Sequence, residues 1–128
     1  MNIRIPKRLA KIGGVLLAIS GVINTALGIR IGAIFYDVYP GGKMGHVGII
    51  AGFVAVIIGL AIIFLIVRLY DQRSVRHVVA GGLLTIILGH LGAIAGAIHI
   101  GTVGVLLCYI AGVWTIVLAL MRIKRKTV

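Results

Sequence analysis

His90 is the one ionisable side chain set deep within a long apolar stretch, and polar residues stand at matching depth in neighbouring stretches. Counting inward from Ile12 and from Val78 brings Asn24 and His90 to the same level. A turn centred between His99 and Ile100 sets His90 opposite Tyr109. Asn24, His90 and Tyr109 are therefore expected to form one polar layer, outward of the midplane of a membrane, and Ser20, one turn from Asn24, extends it. An unpaired polar group in hydrocarbon costs several kcal/mol, so these groups should find one another. Two chemistries follow: a hydrogen-bonded pin that fixes helix register, or a proton or substrate site.

Asp37 and Asp71 are the only acids in the chain, both lie in connectors, and Glu is absent. Proton-coupled small exporters and rotary-ring subunits need a carboxylate within the membrane to bind and release an ion, which this chain lacks. His46 and His99 lie near the outer mouth with Asp37, and with His90 they invite a metal or haem reading. None of them stands three or four residues from another, and His99 is ~13 Å along a helix from His90. No cofactor is expected from that spacing, and His46 and His99 read as solvated interfacial groups. Ser20, Thr25, Thr85 and Thr115 have no carboxylate–histidine partnership nearby, and hydroxyls in membrane helices usually bond their own backbone. No enzymatic chemistry is expected.

The elements that must position these groups are four apolar stretches, about 12–29, 47–67, 78–98 and 101–121. Each is near the ~20 residues a helix needs to cross a bilayer. Of the 13 Lys and Arg, Arg4, Lys7, Arg8 and Lys11 precede the first stretch. Arg68, Arg73 and Arg76 separate the second and third, and Arg122, Lys124, Arg125 and Lys126 follow the fourth. Only Arg30 and Lys43 remain for the other face. The positive-inside rule then puts both termini in the cytoplasm of a protein of the cell membrane. A net charge of +11 raises nucleic acid as a partner, but the cations border the spans and none of their segments is long enough for a binding domain. Lipid is the expected partner instead, with Arg122, Lys124, Arg125 and Lys126 as the anionic-headgroup contact.

With 128 residues and 61% hydrophobic content, a single transmembrane domain is expected, since the connectors are too short for a soluble catalytic unit. Cys108 is the lone cysteine. It has no partner for an intrachain disulfide and should behave as a small apolar residue. The first apolar run is long, carries Asn24 and Thr25 and lacks a small-x-small cleavage site, so it is expected to remain as a helix. Neither end carries a lipidation motif. Few Asn and Gln beside abundant Ile, Val and Arg lean toward a thermophilic source.

The chain also repeats itself. Gly13, Gly14, Gly21 and Gly28 match Gly81, Gly82, Gly89 and Gly96 at an offset of 68, and Gly45-His46-Val47-Gly48 matches Gly101-Thr102-Val103-Gly104 at an offset of 56. This reads as a duplicated helical hairpin, a parallel repeat. Gly14, Gly21 and Gly28 are spaced by seven, as are Gly45, Gly52 and Gly59, and Gly82, Gly89 and Gly96. Seven residues return a helix to nearly the same face, so the first three helices each carry a small-residue stripe, reinforced by the GxxxG pairs Gly48/Gly52 and Gly92/Gly96. Each interior Gly costs about 0.8–1 kcal/mol of helix propensity against Ala, which close backbone approach can offset. Phe35, Tyr36 and Tyr39, before the turn Pro40-Gly41-Gly42, suit an outer interfacial belt, and Tyr70 the inner one. The fourth helix, with fewer glycines and with Trp114, is expected to face lipid or a partner.

The expectation is an all-α integral membrane four-helix bundle made of two similar transmembrane hairpins. Its expected role is that of a non-catalytic accessory or packing subunit of a membrane complex, or a self-associating scaffold, with glycine stripes supplying adhesion. A small channel or transporter passing the His90 layer is the alternative, and a metal- or haem-binding subunit the third.

Overall fold

The computed structural model describes residues 2–36, 44–95 and 100–127, and among these the side chains of 29–36, 44–48 and 126 are left aside. Helix α1 spans Arg4–Tyr36. Asn2 opens it by accepting the Arg4 N–H at 3.2 Å, and Pro6 sits in the first turn, where a missing N–H removes no intrahelical bond. The helix starts well before residue 12 because Arg4, Lys7, Arg8 and Lys11 are good helix formers.

Helix α2 spans Met44–Ala61, passes into a π-helical turn at Ile62–Ile66, and resumes as α3, Val67–Tyr70. The Val67 N–H donates to the Ile62 carbonyl, five residues back. One residue is thereby inserted into the helical phase. Ile62 and Val67 are both buried, a step of five where an uninterrupted helix would bury residue 66. Tyr70 follows on the same inward face, a position that Leu69 would otherwise hold.

Residues 71–74 turn the chain, with the Asp71 and Gln72 N–H groups donating to the carbonyls of Arg68 and Leu69. Ser74, extended at φ −73° and ψ 124°, precedes helix α4, Val75–Ile94. Helix α5 spans Ile100–Thr127. Four segments, Arg4–Gly28, Ile49–Tyr70, Val75–Ile94 and Ile100–Arg125, are long and apolar enough to cross a membrane, and no strand occurs among the described residues.

α1 packs against α2 on one side and α5 on the other, while α4 packs against α5 and α3. A methyl group added to Gly14 would stand 2.9 Å from the Gly59 carbonyl oxygen, and one on Gly21 would stand 2.5 Å from that of Gly52. Seven residues forward along α1 thus meet seven residues backward along α2, so the two run in opposite directions at backbone contact. Gly82 and Gly112 repeat the arrangement between α4 and α5, with methyl-to-carbonyl separations of 2.8 and 2.6 Å. Gly13 and Gly104 do so between α1 and α5, at 2.8 Å each way. A methyl would clash at such distances, so only glycine lets these backbones reach van der Waals contact, the source of dispersion attraction between helices.

Gly14 and Gly82 are 68 apart, but their partners Gly59 and Gly112 are 53 apart (112 less 59), not 56. Three residues are close to one helical turn. A motif match can therefore slip by that amount while keeping the same face.

Candidate functional site

His90, on α4, meets Tyr109, on α5, where the two helices run side by side. Its Nδ1 stands 2.5 Å from the Tyr109 hydroxyl oxygen, with the rings edge to face at 6.3 Å between centroids. When Tyr109 donates, the histidine proton sits on Nε2; the other tautomer reverses the bond. His90 is exposed on the outside of the bundle and Tyr109 is half-buried. Ser20, buried, and Asn24, half-buried, lie on α1, and both are engaged in polar interactions. The His90–Tyr109 pair can share a proton between imidazole and phenol, but Asn24 does not join it: Gly92 packs on Leu17, which leaves Asn24 seven residues, ~10 Å, farther along α1 than that contact and away from the level of His90.

From Tyr109, α5 continues as a shallow groove of about 480 Å³ lined by Tyr109, Ile110, Val113, Trp114 and Val117. Trp114 is 40% exposed, consistent with one face of α5 pointing outward. The helix as a whole is not peripheral, however. Of the four long apolar helices it has the largest buried share along its apolar stretch, 39%, because Gly104 and Gly112 bring it against α1 and α4 at once.

A second polar centre lies inside the bundle and was not legible from spacing. Tyr70 is 1% exposed, so it does not serve the inner interfacial belt. Its hydroxyl is 2.7 Å from Thr85 Oγ1, which donates to the Gly81 carbonyl at 2.8 Å. Thr115 Oγ1, close to the same phenol, donates to the Ala111 carbonyl at 2.7 Å. The tyrosine ring fills a slot at Gly81, where a methyl would stand 2.9 Å from Cδ1. That slot is the only signal the sequence offers: a glycine four residues before a mid-span threonine. Thr25 likewise donates to the Gly21 carbonyl at 2.9 Å. These threonines spend their protons on their own helices, and no buried side-chain nitrogen or oxygen among the described residues lacks a partner. The centre is closed and fully bonded, and it offers no open valence to a substrate.

The glycines are consumed within the chain. Gly14, Gly21, Gly52, Gly59 and Gly82 meet backbone of a neighbouring helix, Gly89 meets the Cys108 side chain, and Gly28 is buried. At these positions the stripes pack inside one molecule. Cys108, fully buried, sits between Gly13 and Gly89 at the junction of α1, α4 and α5.

On the basic end, Arg122 is half-buried while Lys124 and Arg125 are exposed. Lys7 Nζ pairs with Asp71 Oδ2 at 2.5 Å. No group of three metal-ligating side chains occurs among the described residues. Readings that involve Asp37, Tyr39, His99, Gly96 and the turn Pro40-Gly41-Gly42 fall outside the described residues, as do those on the side chains of Phe35, Tyr36, His46 and Lys126 and the surroundings of Gly45 and Gly48.

No protein-family model matches this chain, and no curated protein or solved structure is similar enough to count as a relative.

Proposed function

We propose that the chain is an integral protein of the cell membrane, threaded four times as two similar helical hairpins with both termini in the cytoplasm. On this reading it acts through assembly, as a non-catalytic accessory or packing subunit of a membrane complex or as a self-associating scaffold. The observation that carries the reading is the exposure of His90, bonded to Tyr109, at the head of the Trp114 groove. An imidazole edge left against hydrocarbon is costly, and a neighbouring helix that covers the pair and fills the groove removes that cost. Tyrosine and tryptophan are also the side chains that carry most interface energy. Native mass spectrometry of a mild-detergent extract tests this: a defined oligomer or complex is expected, weakened by His90→Leu and by Trp114→Ala. A monodisperse monomer with no associate would overturn it.

The ionisable character of His90 supports a second reading, a small channel or transporter whose path passes Asn24, His90, Tyr109 and Ser20. Here His90→Leu abolishes flux in proteoliposomes while leaving assembly intact. A metal- or haem-binding subunit, the third reading, is separated from both by the absorbance spectrum of the purified protein.

A further inference from the structure

A second groove, of about 480 Å³, opens between the start of α4 and the end of α5, lined by Val75, Arg76, Val79, Ala80, Leu83 and Ile123. Positions 76, 79, 80 and 83 share one helical face. Arg76 is the sole polar side chain in the lining, and it stands at the end where the basic connector enters. Leu83 and Ile123 are 48% and 46% exposed, so the apolar trough is open along its length. Arg73, Arg76 and His77, at and just before the start of α4, are exposed, as are Lys124 and Arg125 next to Ile123 near the end of α5. Asp71 is the one acid among the described residues, and Lys7 engages it at 2.5 Å. An anion arriving here meets cations with no uncompensated carboxylate to oppose it.

We infer that this groove holds one anionic glycerophospholipid, its acyl chain along Val79, Ala80, Leu83 and Ile123 and its phosphate on the Arg76 guanidinium. The inference rests on the membrane-spanning part of the proposed function and is independent of the assembly role. An acyl chain matches a long apolar trough, and a planar guanidinium matches a phosphate through paired hydrogen bonds. Basic pockets between helices at the cytoplasmic level are where such headgroups are held.

The test is native mass spectrometry of the full chain in a neutral detergent, titrated with phosphatidylglycerol or phosphatidylcholine of matched acyl chains. The anionic lipid is expected to bind about fivefold more tightly, the contribution of one surface cation. Arg76→Gln should abolish that preference, whereas Arg8→Gln, exposed on α1 and outside the groove, should leave most of it. Ala80→Trp, which fills the trough from an open face, should weaken both lipids. Circular dichroism confirms that each variant keeps its helices. Equal affinity for the two lipids, equal loss from Arg76→Gln and Arg8→Gln, or displacement by inorganic phosphate alone would each overturn the site. Recovery of the chain without detergent would instead defeat the membrane reading itself.

Discussion

The Tyr70 hydroxyl stands 2.7 Å from Thr85 Oγ1, deep in the bundle and joining the second span to the third. Thr85 has one proton, and the Gly81 carbonyl takes it, so Tyr70 is the donor. Tyr70→Phe should therefore cost about 1 kcal/mol, since Thr85 keeps its own bond. Tyr70→Ala should cost about 3 kcal/mol or more by opening a cavity beside Gly81. Unfolding in micelles followed by circular dichroism reads both, and equal losses would mean that packing around the ring counts for nothing.

Glycine positions should differ by what they face. A methyl on Gly21 would meet the Gly52 carbonyl at 2.5 Å, and backbone cannot step aside. Overpacking of ~1–3 kcal/mol, partly offset by a helix-propensity gain of about 1 kcal/mol, predicts a net loss for Gly21→Ala. A methyl on Gly92 would meet only the tip of Leu17, at 2.9 Å, so Gly92→Ala should be close to neutral. If the order of the two melting temperatures is reversed, the seam is misassigned.

The His90–Tyr109 bond should show as coupling between the two residues. A double-mutant cycle with His90→Leu and Tyr109→Phe is expected to yield about 0.6 kcal/mol, the average for interhelical bonds in membrane proteins. Strict additivity would contradict the 2.5 Å contact.

The Lys7–Asp71 pair should matter little to stability. The two side chains are 26% and 55% exposed, a setting in which ion pairs contribute ~0.2–1 kcal/mol and are screened by salt. Asp71→Asn should shift unfolding by no more than that, with a smaller difference at high ionic strength.

Cys108 provides a reporter. Fully buried between Gly13 and Gly89, it should resist maleimide reagents in the folded protein and react once the helices separate. Rapid labelling under native conditions would show that α1, α4 and α5 do not meet as described.

Run length made the four long apolar helices legible, because no Lys, Arg, Asp or Glu falls within any of the four stretches. The helix ends were less legible: Arg4, Lys7, Arg8 and Lys11 prolong α1, and hydropathy alone discounts them. Counting from a tight turn brought His90 level with Tyr109, but it carried no information on which side of the helix pair they face. Glycine spacing marked which faces approach closely, yet one face fits several registers a turn apart. The π-turn left no mark at all, since Ile62 to Val67 is uniformly apolar and offers no phase to read. Tyr70 was misjudged for that reason: a tyrosine beside Arg68 and Arg73 suits a headgroup layer, and only the extra residue swings it inward.

That extra residue divides the second span into two portions that answer to different neighbours. Before Ile62 the helix is indexed by Gly52 and Gly59 against α1; after Val67 it is indexed by Tyr70 against α4. The π-turn works like a coupling between two shafts whose angles are set separately. A change near residues 71–74 can thus rotate the short shaft without disturbing the longer one.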